Sequence, residues 1–357
     1  MSDRSRDTTV QFVLPCADLD AAARFLSESL GFRLDRIRPA DAPRVAQLSG
    51  YGVSLRLEVD PAAAPGRLHL VSRDPELLAR IGDGQTGPGG TLVTAERADA
   101  ELVVPRPTTE VVVTPAGAGA TWAAGRAGMQ YRDLLPGRLG GAFIASHIRI
   151  PEGGPVPDYV HHHDILFQII YCVGGSVRLV YEDQGEPFTM QAGDCVLQPP
   201  HIRHRVLDCS DEFEVVEVGS PAEHDTFVDH DLDLPNGRNP ERLFSGQAFV
   251  HHRAADARWQ RSEYEGVEAR DSGIADATGG LVSLRVLRWP GPLSSLPLAA
   301  DETLQFRFVL EGEVALDIGA DPPQRLAAHA AFALPAGVVS RLDSDAPGAL
   351  LEVTTSF

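Results

Sequence analysis

Residues 158–180 read DYVHHHDILFQIIYCVGGSVRLV and place three consecutive histidines directly before a run of apolar and β-branched residues. Such residues are enriched in strands, so the run predicts a buried β-strand behind the histidines. On an extended chain alternate side chains share a face, so His161 and His163 point the same way and His162 points oppositely. Two imidazoles are therefore directed at one point.

A second histidine-bearing segment, GDCVLQPPHIRH at 193–204, places His204 after a Pro-Pro turn. Together the two segments resemble the cupin superfamily, whose motifs are G(x)5HxH(x)3–4E(x)6G and G(x)5PxG(x)2H(x)3N. The matching positions here are His161, His163, Gln168 in place of the family glutamate, Gly175, Gly193, Pro199 and His204.

The resemblance implies that His161, His163 and His204 bind a metal and that Gln168 stands at the position of the family carboxylate. A glutamine oxygen is neutral and a weaker ligand, so Gln168 would either coordinate loosely or support the ligands from behind. Three imidazoles suit Fe(II), Zn or Ni better than Mg or Ca. We expect one divalent transition metal per chain, with Fe(II) favoured and Zn, Ni or Mn as alternatives. The competing interpretation is a polar strand edge that binds nickel adventitiously.

Short strand-like runs broken by Gly and Pro continue beyond the histidines, a rhythm that predicts an all-β sandwich or barrel. The pattern also occurs twice. We therefore predict two cupin jelly-roll barrels, at 122–250 and 255–357. The aligned segments are FQIIYCVGGSVRL (167–179) with LQFRFVLEGEVAL (304–316), and AGDCVLQPPHIRH (192–204) with AHAAFALPAGVVS (328–340).

The second barrel is predicted to lack a metal site. In the alignment, the positions of the three ligand histidines hold Leu298, Ala300 and Ser340. An apolar replacement would fill the barrel without the desolvation cost of the ligands. We expect this barrel to serve as core and interface.

The N-terminal segment differs in pattern. The strand VQFVLP precedes DLDAAARFLSESLGF, a helix led by Asp18, and three extended runs follow within 8–60, giving the order βαβββ. The segment resembles the vicinal-oxygen-chelate, or glyoxalase-like, superfamily, whose metal-ligand positions hold Gln11 and Glu58 here. Because glutamine is a weak ligand, we expect an α+β glyoxalase-like domain over 1–115 that holds no metal.

Composition excludes several functional classes. Hydrophobic residues make up 43% of the chain and charged residues 23%, and no run approaches the roughly 18 apolar residues of a membrane span. A formal charge of −19 repels a phosphate backbone, so no nucleic-acid partner is expected. The N-terminus shows neither a secretory signal nor a transit helix, which predicts a cytoplasmic protein. Cysteine spacing predicts buried thiols.

These features predict a metal-dependent cupin enzyme, first of all a non-haem Fe(II) dioxygenase acting with dioxygen on a small organic substrate of aromatic or diketone type. A Zn- or Ni-dependent isomerase or lyase, and a non-catalytic sensing bicupin, are the alternatives. His224 is the candidate acid or base, although a surface-loop histidine is the simpler interpretation. Two barrels in one chain could pair internally, and edge strands could instead form a homodimer.

Overall fold

The structure is a computed structural model that describes residues 11–39, 43–98, 101–117, 121–125, 128–298, 304–319 and 322–356. It divides into two compact units, Met1–Glu101 and Leu102–Phe357. Each unit is built around its own core clusters. Among the described residues, no helix has both the length and the apolar character that crossing a bilayer requires.

The first unit consists of a βαβββ module followed by a shorter βαββ segment. Asp18 caps the first helix by accepting a hydrogen bond from the Ala21 amide at 2.9 Å, the expected role of an N-cap aspartate. The elements are β1 (Gln11–Cys16), α1 (Leu19–Arg24, continued by a π-helical turn, Phe25–Ser29), β2 (Arg33–Arg38), β3 (Val45–Gly50), β4 (Val53–Val59), β5 (Arg67–Ser72), α2 (Pro75–Ile81), β6 (Gln85–Thr86) and β7 (Leu92–Arg97).

The strands of this unit form two sheets, ordered β1-β4-β3-β2 and β5-β7-β6. In each sheet the strand before the helix pairs in parallel with the last strand, β1 with β4 and β5 with β7. The helices supply Leu26 and Leu77 to a shared core. The predicted element order βαβββ is therefore present in residues 11–59.

The first barrel of the second unit holds two facing sheets, ordered β23-β17-β14-β19-β11-β10-β9 and β16-β15-β18-β13-β20. Its elements, with β8 preceding them, are β8 (Val112–Thr114), β9 (Ala123–Ala124), β10 (Gln130–Asp133), α3 (Arg138–Gly141), β11 (Ile144–Ile150), β12 (Gly154–Pro155), β13 (His161–His163), β14 (Phe167–Gly174), β15 (Ser176–Tyr181), β16 (Phe188–Gln191), β17 (Cys195–Gln198), β18 (His204–Cys209), β19 (Phe213–Ser220), β20 (Thr226–Val228), β21 (Leu243–Phe244), β22 (Gln247–Ala248) and β23 (Val250–His252).

The second barrel repeats this arrangement with sheets ordered β24-β25-β26-β33-β28-β31-β8 and β27-β32-β29-β30. Residues 102–115, which the sequence analysis assigns to the N-terminal domain, thus contribute β8 to a sheet of the second barrel. Its other elements are β24 (Gln260–Arg261), β25 (Glu268–Asp271), α4 (Ile274–Ala277), β26 (Val282–Trp289), β27 (Leu293–Pro297), β28 (Leu304–Glu311), β29 (Glu313–Asp317), β30 (Gln324–Ala327), β31 (Ala331–Pro335), β32 (Arg341–Ser344) and β33 (Gly348–Thr355).

Strand alternation divides the apolar residues of this unit among three cores. On β14, Cys172 faces the interior of the first barrel, whereas Ile169 and Tyr171 join a cluster shared with the second barrel. Phe306 and Phe308 of β28 belong to that shared cluster. The two seven-stranded sheets therefore pack face to face, and the barrels pair within the chain. The four cysteines are buried and free, as the sequence predicted.

Candidate metal centre

Antiparallel pairing of β13 with β18 brings the two histidine segments together. His161 lies directly opposite His204 in this ladder, and their ring centroids are 4.2 Å apart. His163, two residues along β13, shares the face of His161, as alternation requires. Its ring lies 5.2 Å from that of His161 and 5.3 Å from that of His204.

Backbone carbonyls set the tautomers of two of these rings. His161 Nδ1 lies 2.8 Å from the Tyr159 carbonyl oxygen, and His204 Nδ1 lies 3.1 Å from that of Ile202. Because a carbonyl only accepts, each Nδ1 carries the ring hydrogen and each Nε2 holds the lone pair. Such bonds orient histidine ligands in metal sites.

The Nδ1 of His163 contacts a side-chain hydroxyl instead of a backbone carbonyl. This nitrogen lies 2.8 Å from Thr226 Oγ1 on the neighbouring strand β20. A threonine hydroxyl can accept a hydrogen bond as well as donate one, so this contact is compatible with the same tautomer as in the other two rings. All three histidines can therefore present Nε2 toward a common point.

The ligand atoms of His161, His163 and His204 all lie within 4.8 Å of one another. Three equally spaced nitrogens bound to one ion at about 2.1 Å each are at most about 3.6 Å apart. Side-chain movements that shorten the longest separation by about 1 Å would bring the rings around a single cation. His161 is 0% and His204 4% exposed, so an ion bound between them would be shielded from bulk solvent.

The side-chain oxygen of Gln168 provides independent support for a bound ion or ligand beside the three histidines. Its side chain is 4% exposed, and its Oε1 has no hydrogen-bond partner among the described residues. A buried acceptor without a partner costs roughly 1–3 kcal/mol. A cation, or a water or substrate held by one, would satisfy this oxygen, and three imidazoles with an amide oxygen form a suitable donor set for a transition metal.

A cavity of about 80 Å³ lies beside His163, Gln168 and His204 inside the first barrel. A single water needs roughly 10–15 Å³ of such volume, so the cavity has room for a small molecule. No lysine or arginine among the described residues lines it. Its remaining lining is Met129, Tyr131, Ile148, Ile150, Ile170, Val177, Leu179, Tyr181, Met190, Gln198, Val206, Phe213, Val215 and Glu217.

Two of these lining residues fix the wall nearest the histidines. The Tyr181 ring stacks on His204 with centroids 5.5 Å apart, and its hydroxyl accepts a hydrogen bond from Gln198 Nε2 at 2.8 Å. Burial raises the pKa of Tyr181 well above its usual range, so the phenol stays protonated. The wall is therefore neutral next to the cluster.

His224 lies at the edge of the cluster. Its ring centroid is 5.4 Å from that of His163, and its Nδ1 donates to the Pro221 carbonyl at 3.0 Å. Desolvation by burial lowers the pKa of His224 below its ordinary value. The ring is therefore neutral near pH 7, with its lone pair on Nε2.

The neighbouring polar residues make other contacts. His162 stacks on Phe227 at 5.3 Å, on the face of the strand opposite to its two neighbours, and contacts His201 at 5.8 Å. Arg203 Nε donates to Asp229 at 3.1 Å. These side chains lie outside the group formed by His161, His163 and His204.

The sequence analysis overlooked Glu217, the carboxylate in the cavity wall. In FEVVEVG the apolar residues on both sides of this glutamate conceal the alternation. Val216 and Val218 face the core between the barrels, whereas Val215 faces the interior of the first barrel. Glu217 shares the parity of Val215, which would have placed it on the cavity side.

The second barrel fills the corresponding region differently from the prediction. Leu298 and Ser340 are 0% and 2% exposed, and Ala300 lies outside the described residues. Beside them the interior is ionic rather than wholly apolar. Arg307 Nε donates to Glu352 at 2.8 Å, and both side chains are about 1% exposed. In strand register this pair corresponds to Ile170 and Glu217 of the first barrel.

Comparison with known proteins agrees with this architecture. Residues 146–218 match the family described as Cupin domain. Oxalate decarboxylase from Bacillus subtilis at pH 4.6 has 14% identity and a TM-score of 0.52, covering 70% of this chain and 76% of its own. A single-residue mutant of the same enzyme has 14% identity and a TM-score of 0.51, with coverages of 67% and 75%.

A further structure of the B. subtilis enzyme, from work on its Mn(II) centers, has 13% identity, a TM-score of 0.51 and coverages of 70% and 78%. At such identities the likeness establishes the fold. No curated protein matches the sequence. The mainly β bicupin fold predicted from the sequence is confirmed, and residues 146–218 are similar to the cupin family.

Proposed function

We propose that this protein is a metal-dependent cupin enzyme, a non-haem Fe(II) dioxygenase that acts on a small, uncharged aromatic or diketone-like substrate. The observation that carries the proposal is the convergence of His161, His163 and His204 within 4.8 Å, beside a small cavity with no cationic side chain in its described lining. Backbone carbonyls fix the tautomers of His161 and His204 so that the Nε2 lone pair of each ring is available to a cation.

The donor set favours a redox-active transition metal over a hard cation. Three imidazoles and the Gln168 oxygen are neutral, and imidazole suits Fe, Zn, Ni and Cu, whereas carboxylates suit Mg and Mn. When bound, Fe(II) would supply electrons for reaction with dioxygen and adjacent positions for the two reactants. The protein side chains would orient the substrate and exclude bulk water.

The cavity lining supports an uncharged substrate. Met190, Val206 and Phe213 are among its apolar walls, and Gln198 and Tyr181 supply neutral polar groups. A dicarboxylate such as oxalate would bring two negative charges beside Glu217. A bound metal ion would offset part of this charge, but among the described lining residues no lysine or arginine would hold the second carboxylate. We therefore propose a different substrate class from that of the decarboxylase with the similar fold.

The test uses untagged protein, which removes adventitious nickel binding by a tag. Metals are measured by mass spectrometry, the protein is loaded with Fe(II) without oxygen, and oxygen consumption is followed with a panel of catechols and β-diketones. We expect uptake that requires both Fe(II) and substrate and is lost in His161→Ala and His204→Ala. His162→Ala, the matched control on the opposite strand face, should retain it. Fe(II)-loaded protein that consumes no oxygen with any substrate would contradict the proposal.

One contact favours a second candidate, a Zn- or Ni-dependent isomerase or lyase. His224, neutral and beside His163, could carry a proton between substrate atoms while the metal acts as a Lewis acid. This candidate predicts turnover without oxygen and a roughly 10²- to 10⁴-fold lower kcat in His224→Asn. Turnover unaffected by His224→Asn would remove it.

For the N-terminal unit we propose a glyoxalase-like role in binding or shape rather than catalysis. Its β1-β4-β3-β2 order supports the assignment. Gln11 lies opposite Ser54 in the parallel ladder, whereas Glu58 lies opposite Pro15. Four residues of strand, about 13 Å, therefore separate Gln11 from Glu58, too far apart to share an ion.

A further inference from the structure

A second group of potential ligands lies outside the barrel interior, where the two seven-stranded sheets meet. It consists of His147 on β11, Glu214 on β19 and His329 in the turn before β31, and their ligand atoms lie within 4.8 Å of one another. Two of these residues come from the first barrel and one from the second. The proposed dioxygenase chemistry uses none of them.

Two of the three donors already form a hydrogen bond, and the third lies close to them. His147 Nε2 lies 2.8 Å from Glu214 Oε2, whereas His329 Nδ1 lies 3.9 Å from the same oxygen, beyond hydrogen-bond distance. The two imidazole centroids are 5.2 Å apart. His147 is 1% exposed and the His329 side chain 42%, so a cation could reach the group from the solvent side.

His329 has a backbone conformation that is unusual for a residue with a side chain. Its φ is +70°, a left-handed conformation that non-glycine residues rarely adopt. The aligned residue of the first barrel is Gly193, with φ +92°. The His329 amide donates to the Val309 carbonyl at 2.7 Å, as the Gly193 amide donates to Cys172 at 2.8 Å. The same turn therefore carries a histidine at a position that favours glycine.

The two barrels share a tryptophan–arginine contact near this site. In the first barrel Trp122 lies 4.0 Å from the Arg149 guanidinium, and in the second Trp259 lies 3.9 Å from that of Arg288. Both halves thus keep the tryptophan and its arginine.

The donors occur at only one of the two equivalent positions of the barrel interface. By strand register, the counterparts of His147 and Glu214 are Val286 and Ala349, and that of His329 is Gly193. None of these three residues has a side chain that can bind a metal. The tryptophan–arginine contact therefore does not require these ligands, yet all three occur together at one of the two equivalent positions.

We propose that His147, Glu214 and His329 form a second metal site, which binds a divalent transition metal of the zinc type and links the two barrels. Two imidazoles and one carboxylate, with a remaining position for water, are a common zinc donor set. The Phe308 ring stacks on His329 at 5.7 Å and lies edge-on to His147 at 5.5 Å, which restricts both imidazoles.

Arg132 lowers the metal affinity expected for this second site. Its Nη2 lies 3.3 Å from His147 Nδ1 and also donates to the His329 carbonyl. Since a guanidinium only donates, the His147 hydrogen sits on Nε2, facing Glu214. A metal at Nε2 would shift that hydrogen to Nδ1, and Arg132 would keep its bond to the carbonyl. The nearby positive charge weakens cation binding, so this site should fill after the barrel centre.

Zinc titration of the metal-stripped, untagged full chain tests the proposal, with bound zinc counted by mass spectrometry after dialysis. We expect two ions per wild-type chain, with the second bound more weakly. His329→Gly should bind one, and it should fold at least as well because it installs the residue of the duplicate turn. Glu214→Ala and His147→Val install the other two counterparts and should also bind one.

A complementary variant separates this site from the barrel centre. His161→Ala/His204→Ala should retain one zinc, and adding His329→Gly should abolish it. Wild-type protein that saturates at one ion, and loses it in His161→Ala/His204→Ala, would overturn the second site and leave the proposed oxygenase function unaffected. His329→Gly that still binds two ions would do the same. Loss of barrel metal with retention of this ion would contradict that function alone.

Discussion

At the scale of single residues, the group that is hydrogen-bonded to Nδ1 determines the tautomer of each histidine in the barrel cluster, and so whether Nε2 can bind a metal. Alternation along DYVHHHD predicts which of the three consecutive imidazoles share a face, because it depends only on neighbouring backbone geometry. The acceptors Tyr159, Ile202 and Thr226 could not be assigned from the sequence. Thr226 in particular comes from β20, and its contact with His163 depends on a strand pairing between distant segments.

Thr226→Val tests the role of the hydroxyl beside His163. The substitution keeps the shape of the side chain and removes the acceptor for Nδ1–H, so we expect a roughly 10- to 100-fold weaker affinity for the barrel metal. Thr226→Ser is the matched control and should remain near wild type. Competition with a chromophoric chelator measures both, and equal affinities for the two variants would refute the role.

Gln168→Glu tests the consequence of the neutral fourth donor. A carboxylate at this position lowers the charge of the site by one and favours harder metals, so we expect Mn(II) affinity to rise more than Zn affinity. Gln168→Leu, which removes the unsatisfied oxygen, is the comparison. Mn(II) titration followed by electron paramagnetic resonance provides the measurement, and an unchanged Mn-to-Zn preference would show that Gln168 does not face the ion.

At the scale of elements, equivalent strands of the two barrels have different interiors. The sequence predicted the strands and their duplication because periodicity and turn residues are local signals. It did not predict that Arg307 on β28 would meet Glu352 on β33. Arg307 replaces Ile170 of β14, which the alignment treats as core, whereas Glu352 corresponds to Glu217 of the first barrel. Burial alone would raise the pKa of Glu352, but the guanidiniums of Arg307 and Arg285 hold it below its usual range.

This ion pair predicts a pH dependence of stability. The folded-state pKa of Glu352 is lowered. Its ionised carboxylate therefore stabilises the fold fully above the unfolded-state pKa of about 4.3, and this stabilisation is lost as the pH falls through the folded-state pKa. Arg307→Met alone should destabilise the fold at pH 7 by at most about 3–5 kcal/mol, because Glu352 loses this partner but keeps Arg285.

The compensated variant Arg307→Met/Glu352→Leu serves as control. It should be much closer to wild type at pH 7 and lose less stability between pH 5 and 3, as measured by thermal unfolding followed by circular dichroism. A double variant whose acid profile runs parallel to that of wild type would show that the pair contributes nothing to acid sensitivity.

At the scale of the whole molecule, one barrel retains the ligand histidines while the other lacks them, and the two share a core. Length, rhythm and repetition predicted two barrels. The sequence could not predict the pairing of β8 with β31 or the group formed by His147, Glu214 and His329. Both features arise where segments distant in sequence come together. His329 alone offered a local signal, a histidine in a turn whose duplicate holds glycine.

Anomalous diffraction at the metal's absorption edge, from crystals of the Fe(II)-loaded full chain, tests most directly whether the first barrel is a metal centre. The arrangement of side chains predicts a peak among the Nε2 atoms of His161, His163 and His204, within bonding distance of all three. Rings that stay apart with water or apolar atoms between them, and iron bound elsewhere, would contradict it.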